Sequence, residues 1–369
     1  MSTPATDRPY WLGFARIAGV GPATWHRLLE AFPTMAAAWT ANSTQLTAAG
    51  IRQKDAQEIC DQRATIDLHV LQSQMEMAGI SMLTLNDDDY PPLLRQIHHP
   101  PAVLFYRGSL SALAAPTLAV VGTRRYSSYG KQVVTELVQG LATRCTILSG
   151  LALGIDALAH RACLEAGGIT ISVLGSGIET ARISPTANQY LSEQILDSGG
   201  ALISEYPVGT PPGKFTFPLR NRIIAGLSLG TLVIEAPESS GALITARYAL
   251  EFNRSVLAVP GSIFSDTSRG TNELIRLGAI PVTKTDDVIN ELQLQDLAVT
   301  ATTPIELSAD EQFILNKLSR EPLHIDTIAQ TCNITIMSLS STLMLLEMKG
   351  AIKDLGGNTY IRMLWQKNS

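Results

Sequence analysis

The chain has 369 residues, 45% of them hydrophobic and 17% charged, which is too long for one ordinary core and too apolar for general disorder. A formal net charge of −5 argues against a broad basic face for coating duplex DNA, so any nucleic-acid site has to be local. No apolar run approaches the ~18 residues of a membrane span, and the opening MSTPATDRPYW lacks a secretion signal's basic-then-apolar pattern, so a cytoplasmic protein is expected.

Residues 1–85 read as a helical N-terminal domain. The turn Ile17 to Pro22 precedes an amphipathic stretch from Thr24 to Phe32, and Gly50-Ile51 repeats the theme ahead of a helix from Gln53 to Cys60. Glycine turns between short helices resemble a SAM or helix-hairpin-helix module, whose exposed N–H groups hold a phosphate as helix N-termini do. A plain αα-turn explains them as well and is the simpler reading.

Asp87 to Pro101 reads as a connection, with His98 and His99 as loop residues, and Ala102 to Tyr106 as a short strand. From Thr117 onward, apolar β-rich runs alternate with helical patterns: Thr117–Val121, Thr146–Leu148, Ile169–Leu174, Ala201–Ile203, Thr231–Ile234, Ser255–Val259 and Ala279–Val282. Strands that are apolar throughout and spaced by helices predict an α/β fold, an extended Rossmann-like, doubly wound and mostly parallel sheet over 86–295. Residues 296–306 read as a linker. Beyond it, helical segments at Ala309–Leu318, Ile325–Thr331 and Ser338–Lys349 and a hairpin from Gly350 to Ile361 predict a winged helix over 307–369.

In such a sheet ligands bind beyond the carboxyl ends of the strands. The turns there are glycine-rich: Gly122-Thr123-Arg124, Ser149 to Asp156, Gly175-Ser176-Gly177, Glu235 to Gly241 and Pro260-Gly261. Glycine lets backbone N–H groups approach an anion, and each following helix adds a positive N-terminus. Thr180 stands where Gly175-x-Gly177 would need its third glycine, and no G-x-x-x-x-G-K-[ST] exists, which disfavours an ATPase, an NAD enzyme or any bound cofactor. Four scattered cysteines and six histidines offer neither a metal set nor a disulfide pattern.

Thr117 to Lys131 carries Arg124, Arg125 and Lys131 without an acid, and Tyr206 to Ile234 carries Lys214, Arg220 and Arg222 without one. Two cationic stretches beside glycine-rich strand ends fit an anionic polymer better than a single phosphate. Phe215 and Phe217 interleave with them as stacking surfaces for unstacked bases. Strand alternation predicts Phe217 exposed and Phe215 buried.

Gly122-Thr123-Arg124 with Tyr129-Gly130, then Ser149-Gly150-Leu151-Ala152-x-Gly154-Ile155-Asp156-x-x-Ala159-His160, closely resembles the DprA (Smf) family, DNA processing proteins of natural transformation. Ser204 to Pro207, Phe217-Pro218-x-Arg220-Asn221-Arg222 through Gly226, Ser240-Gly241-x-Leu243-Ile244-Thr245 and Pro260-Gly261 continue the match, which covers roughly residues 87–292. The resemblance implies a non-enzymatic protein that protects incoming single-stranded DNA, loads RecA onto it in transformation and recombination, and forms a homodimer through the Rossmann-like domain. Carried over, Arg124 with the Gly122–Thr123 backbone holds a phosphate, Lys214 and Arg222 hold others, and Phe217 packs on a base. Arg220, Asn221, Ser240 and Gly241 complete the implied DNA-binding set. The chain departs from the family at Ser184-Pro185, where Tyr-Pro is usual, so that tyrosine's contacts are not carried over.

Other motif residues have structural readings. Asp156 is expected to cap its helix, His160 to be a buried hydrogen-bonded histidine, Asn221 to orient its loop, and Glu205 and Glu235 to pair with arginines. The winged helix's recognition segment, Thr335 to Lys349, has Lys349 as its only cation, so a protein-contact role is expected, with Leu339, Leu343 and Leu346 as its own core. The alternative function is enzymatic, a nucleoside-monophosphate phosphoribohydrolase of the lysine-decarboxylase-like kind. That family carries Gly-Gly-x-Gly-Thr and a catalytic Glu, against Glu238-Ser239-Ser240-Gly241-Ala242 here. A molybdenum-cofactor carrier shares the fold without requiring the Phe217 to Gly226 run.

Overall fold

The computed structural model describes residues 3–295, 308–318, 322–332, 334–349 and 351–362, and they form two compact units. The predicted linker, 296–306, lies outside the described residues. No described helix is long and apolar enough to cross a membrane.

The first unit opens with six helices, α1 (Arg8–Arg16), α2 (Pro22–Ala31), α3 (Met35–Thr40), α4 (Ser43–Ala48), α5 (Gln53–Arg63) and α6 (Leu68–Met77). Side-chain caps set several starts: Thr34 accepts from the Ala37 N–H, Asn42 from Gln45, and Asp67 from His69 and Val70. Trp11 and Trp25 stack with ring centres 5.5 Å apart, and Phe14 meets Trp25 and Trp39 edge-on. These side chains share one apolar cluster with Val103, Phe105, Leu174 and Leu202, so the helices are built onto the sheet.

Helical structure was expected up to residue 85, but Ser81–Thr84 forms strand β1, antiparallel to β2 (Val103–Gly108). Its partner lies some twenty residues ahead, and a four-residue strand has no periodicity of its own to display.

After a helical turn, α7 (Pro92–Arg95), strand and helix alternate: β3 (Thr117–Val121), α8 (Ser128–Leu141), β4 (Thr146–Ser149), α9 (Ile155–Glu165), β5 (Thr170–Val173), α10 (Gln189–Asp197) and β6 (Ala201–Ser204). Then come α11 (Thr216–Gly226), β7 (Gly230–Val233), α12 (Ala242–Glu251), β8 (Ser255–Ala258), α13 (Arg269–Arg276), β9 (Ile280–Pro281) and α14 (Thr285–Glu291). The nine strands lie in the order β1-β2-β6-β5-β4-β3-β7-β8-β9, parallel from β6 to β9, with β1 and β2 as an antiparallel margin. Chain direction across the sheet reverses between β3 and β7, which makes that pair the topological switch point.

β3 shows why the run had to be apolar throughout. Leu118 and Val120 pack under α8 and α9 against Val134, Leu137 and Leu158, whereas Ala119 and Val121 face Ile223, Ala242 and Ala246 of α11 and α12. Each fully buried Leu or Val contributes roughly 1.5–3 kcal/mol, so a polar residue on either face is costly.

The second unit contains α15 (Ala309–Lys317), β10 (Leu323–His324), α16 (Ile325–Cys332), α17 (Ile336–Met348), β11 (Ile352–Asp354) and β12 (Thr359–Arg362), its sheet ordered β10-β12-β11. This is a winged helix. Leu339, Leu343 and Leu346 are fully buried with Leu315, as their helical spacing predicted. The lone cation of α17's end, Lys349, is held by Glu311 at 2.7 Å.

Candidate nucleic-acid interface

Because β6, β5, β4, β3 and β7 run parallel, the loops after them emerge at one rim. All ten residues singled out in the sequence lie in the loops at that rim or on α11, which is laid across it.

Over the switch point the rim is closed. The Glu235 carboxylate accepts hydrogen bonds from the Ser127 N–H at 2.9 Å, the Ser127 hydroxyl at 2.6 Å and the Thr267 hydroxyl at 2.9 Å. It thus fills the N-terminus of α8, where a dinucleotide's pyrophosphate sits in this fold class. A side chain on Gly130 would begin 2.1 Å from Glu235 Oε2, so only glycine admits the acid. Glu235 was expected to pair with an arginine; its partners are hydroxyls and a backbone amide instead, because the helix end needs an anion. The Glu235 carbonyl also takes the Thr123 N–H at 2.7 Å.

Asp156 is committed in the same way. It lies in the first turn of α9, yet instead of simply capping its helix it takes N–H donors from Gly150, Ala152 and Gly122. Burial raises its pKa, opposed by Arg220. The backbone donors of Gly122 and Thr123 are therefore used within the protein, contrary to the expectation that they hold a phosphate. Gly154 makes this nesting possible: at φ +90°, a Cβ there would lie 2.3 Å from the Thr123 carbonyl.

Arg220, 4% exposed, is the hub of the layer below the surface. It donates to the carbonyls of Gly150 and Val173 and, through Nε, to Asn221 Oδ1 at 3.2 Å. It joins the ends of β4 and β5, and burial lowers its pKa to about 10. His160 lies fully buried beneath, its Nδ1 2.7 Å from the Thr170 hydroxyl; burial first, and Arg220 second, lower its pKa to about 3. Asn221 donates to the Gly241 carbonyl at 3.2 Å, tying α11 to the loop where Ser240 Oγ accepts the Ala242 N–H at 3.3 Å. Arg222, 7% exposed, is paired with Glu205, whose pKa burial raises.

Above this layer lie the groups free to grip. Arg124 and Lys214 are exposed, and among the described residues neither side chain has an ion-pair or hydrogen-bond partner. Arg124 packs its backbone on Gly154 and its charge acts on Arg220, and Lys214 precedes by two residues the helix α11 that carries Arg220. The phenylalanine assignment is reversed: Phe215 is 86% exposed, while Phe217 is half-buried against Gly175. The segment is the start of a helix, and alternation does not apply; Pro218 in its first turn was the available signal. Tyr126, exposed beside Arg124 and Arg125, is a second ring that charge counting overlooked.

Residues 81–293 match the family model of DNA recombination-mediator protein A, and residues 298–358 match the DprA winged helix domain. The chain is 36% identical over 397 residues to Protein Smf of Synechocystis sp., covering 97% of this chain and 99% of that protein. It resembles the X-ray structure of DNA processing protein A from Streptococcus pneumoniae with TM-score 0.69 and 36% identity, over 79% of this chain and 99% of that one. A structure concerning the single-stranded DNA binding mode of DNA processing protein A from Helicobacter pylori matches with TM-score 0.53 and 30% identity, over 59% of this chain and 97% of that one.

Proposed function

This chain belongs to the DNA recombination-mediator protein A family, and on that premise we propose that it grips single-stranded DNA along the α11 side of the carboxyl rim, without chemistry on the strand. The observation that carries the reading is the layering: buried ions hold the glycine loops in place, and the unpaired cations Arg124 and Lys214 stand on top with exposed aromatic rings beside them. Phosphates meet Arg124 and Lys214, and unstacked bases meet Phe215 and Tyr126, with Phe217 as support. Arg220, Asn221, Arg222, Ser240 and Gly241 shape the groove, and Gly122 and Thr123 set the direction of Arg124.

Within the family's work in transformation and recombination, the protein protects incoming strands and hands them to RecA as a cytoplasmic homodimer joined through the sheet unit. The winged helix acts in protein contact: α17 exposes Met337, Met344 and Leu345, and its terminal cation is spent on Glu311. The phosphoribohydrolase reading lacks its Gly-Gly-x-Gly-Thr turn, because Glu238-Ser239-Ser240-Gly241-Ala242 stands in that place.

Fluorescence anisotropy with oligo-dT and with duplex of equal length tests the assignment. A site touching ~3–5 phosphates gives a log–log salt slope near −2 to −3.5 for single strands. Equal affinity for duplex, or release of free base from a nucleoside monophosphate, rejects it. RecA transfer is read from filament growth on the protein-bound strand.

A further inference from the structure

A cleft of about 430 Å³ opens between the α1–α2 turn and the loop after β6, lined by Arg16, Gly19, Gly21, Glu205, Tyr206 and Arg222 among others. Its size lies within the ~300–1,000 Å³ of ligand pockets. Arg124, Tyr126, Lys214 and Phe215 lie outside it, and Arg222, which shapes the groove, forms part of its wall together with the glycine turn of the helical region.

Three independent features make it a built site. First, Arg222 donates one Nη to Glu205, while its other, Nη1, is buried and finds no hydrogen-bond partner among the described residues. Leaving a buried guanidinium donor unmatched is unfavourable, and a ligand at this wall would remove that cost. Second, α2 starts at the cleft with no side-chain cap; Pro22 has no N–H, so the first free donors are those of Ala23 and Thr24. Third, exposed Arg16 reaches across the mouth, its Nη2 3.9 Å from where a side chain on Gly209 would begin, with no acidic partner among the described residues.

We propose that this cleft receives one nucleotide of the bound strand, its phosphate at Arg16 and the start of α2, its base between the apolar walls with an edge on Arg222 and Glu205. A donor beside an acceptor is the pattern that a base edge complements. α11 links the cleft to the rim: Leu219 and Arg222 line the cleft, while Lys214 and Phe215 immediately precede the helix's first residue, Thr216, which lies about 9 Å of axial rise from Arg222. The inference rests on the single-strand reading above and extends the strand's path onto the helical region.

The test is a length series, oligo-dT of about 6 and about 20 nucleotides, on the full chain and two variants. In Gly21→Asp the new carboxylate caps α2, filling the phosphate position; Gly21 already has extended backbone (φ −95°, ψ −177°) and open space at its Cβ, so the variant folds at least as well as the parent. Arg16→Ala removes the mouth cation. Both are expected to lose about five- to tenfold on the long strand and less than twofold on the short one, with a salt slope lower by about 0.7. Parental affinity at both lengths, or equal losses at both, overturns the proposal, while Arg124→Ala weakens both lengths and reports separately on the rim. Micromolar binding of free dTMP that Gly21→Asp abolishes, with the length series unchanged, overturns the strand as occupant.

Discussion

The rim over β3 and β7 and the rim over β4 to β6 are built from the same parts, glycine loops and helix starts, and differ in where the anion comes from. At the switch point the protein supplies its own, Glu235, and the donors of α8 are consumed internally. Over β4 and β5 the internal anion, Asp156, is set deep and balanced by Arg220, so the positive charge that remains outside, on Arg124 and Lys214, is uncompensated. One arrangement closes a nucleotide pocket; the other leaves a groove able to attract a polyanion. Net charge alone, at −5, shows neither.

The largest effect expected from breaking this contrast is Arg220→Ala. It strands a buried Asp156 and frees the carbonyls of Gly150 and Val173, so stability to urea should fall by about 3–5 kcal/mol. Arg220→Lys should not restore it, because an ammonium cannot hold both carbonyls and Asn221 in one plane.

His160 supplies a pH test of the same support. Its folded pKa is lowered to about 3, well below an unfolded histidine near 6.5, so the unfolded state binds the proton first. The stability it confers is present above pH 6.5 and drains as pH falls toward 3, by about 1.4 kcal/mol per pH unit through the middle of that window. His160→Leu should flatten the unfolding profile between pH 6.5 and 4; an unchanged profile would place the proton uptake elsewhere.

Arg124→Ala and Lys214→Ala should each weaken oligo-dT binding about tenfold and lower the salt slope by about 0.7, with the melting temperature unmoved. Phe215→Ala should likewise cost binding alone, whereas Phe217→Ala should also lower the melting temperature, since that ring packs on Gly175. Effects in the opposite order would restore the original assignment of the two rings. The smallest effect is a gain. Glu235→Ala should open the α8 start to inorganic phosphate, which would then stabilise the variant by a few tenths of a kcal/mol at a concentration near its Kd, read by thermal shift.

The sheet was legible because burial on both faces leaves uninterrupted apolar runs, and β3 to β8 fall where those runs stand. β1 was not, since its register depends on Val103 to Tyr106. The site divides similarly. Arg124 and Lys214 were readable as cations without nearby acids, and exposure followed. Arg220 was readable as a cation but not as a buried one, because the carbonyls of Gly150 and Val173 that hold it and the acid whose charge acts on it, Asp156, lie far earlier in the chain and come near it only through the fold. Glu235 required Ser127 and Thr267 to be seen at once, a convergence with no local trace.

The pairing of Gly130 with Glu235 leaves a heritable constraint. With 2.1 Å between the acid and any first side-chain atom at 130, position 130 cannot drift alone: enlarging it expels the acid unless 235 has already shortened, whereas 235 can shorten while 130 stays glycine. Descendants of this chain should therefore enlarge 130 only after or together with shortening 235, an order that a deep mutational scan read by folding would show as loss at 130 relieved by shortening 235.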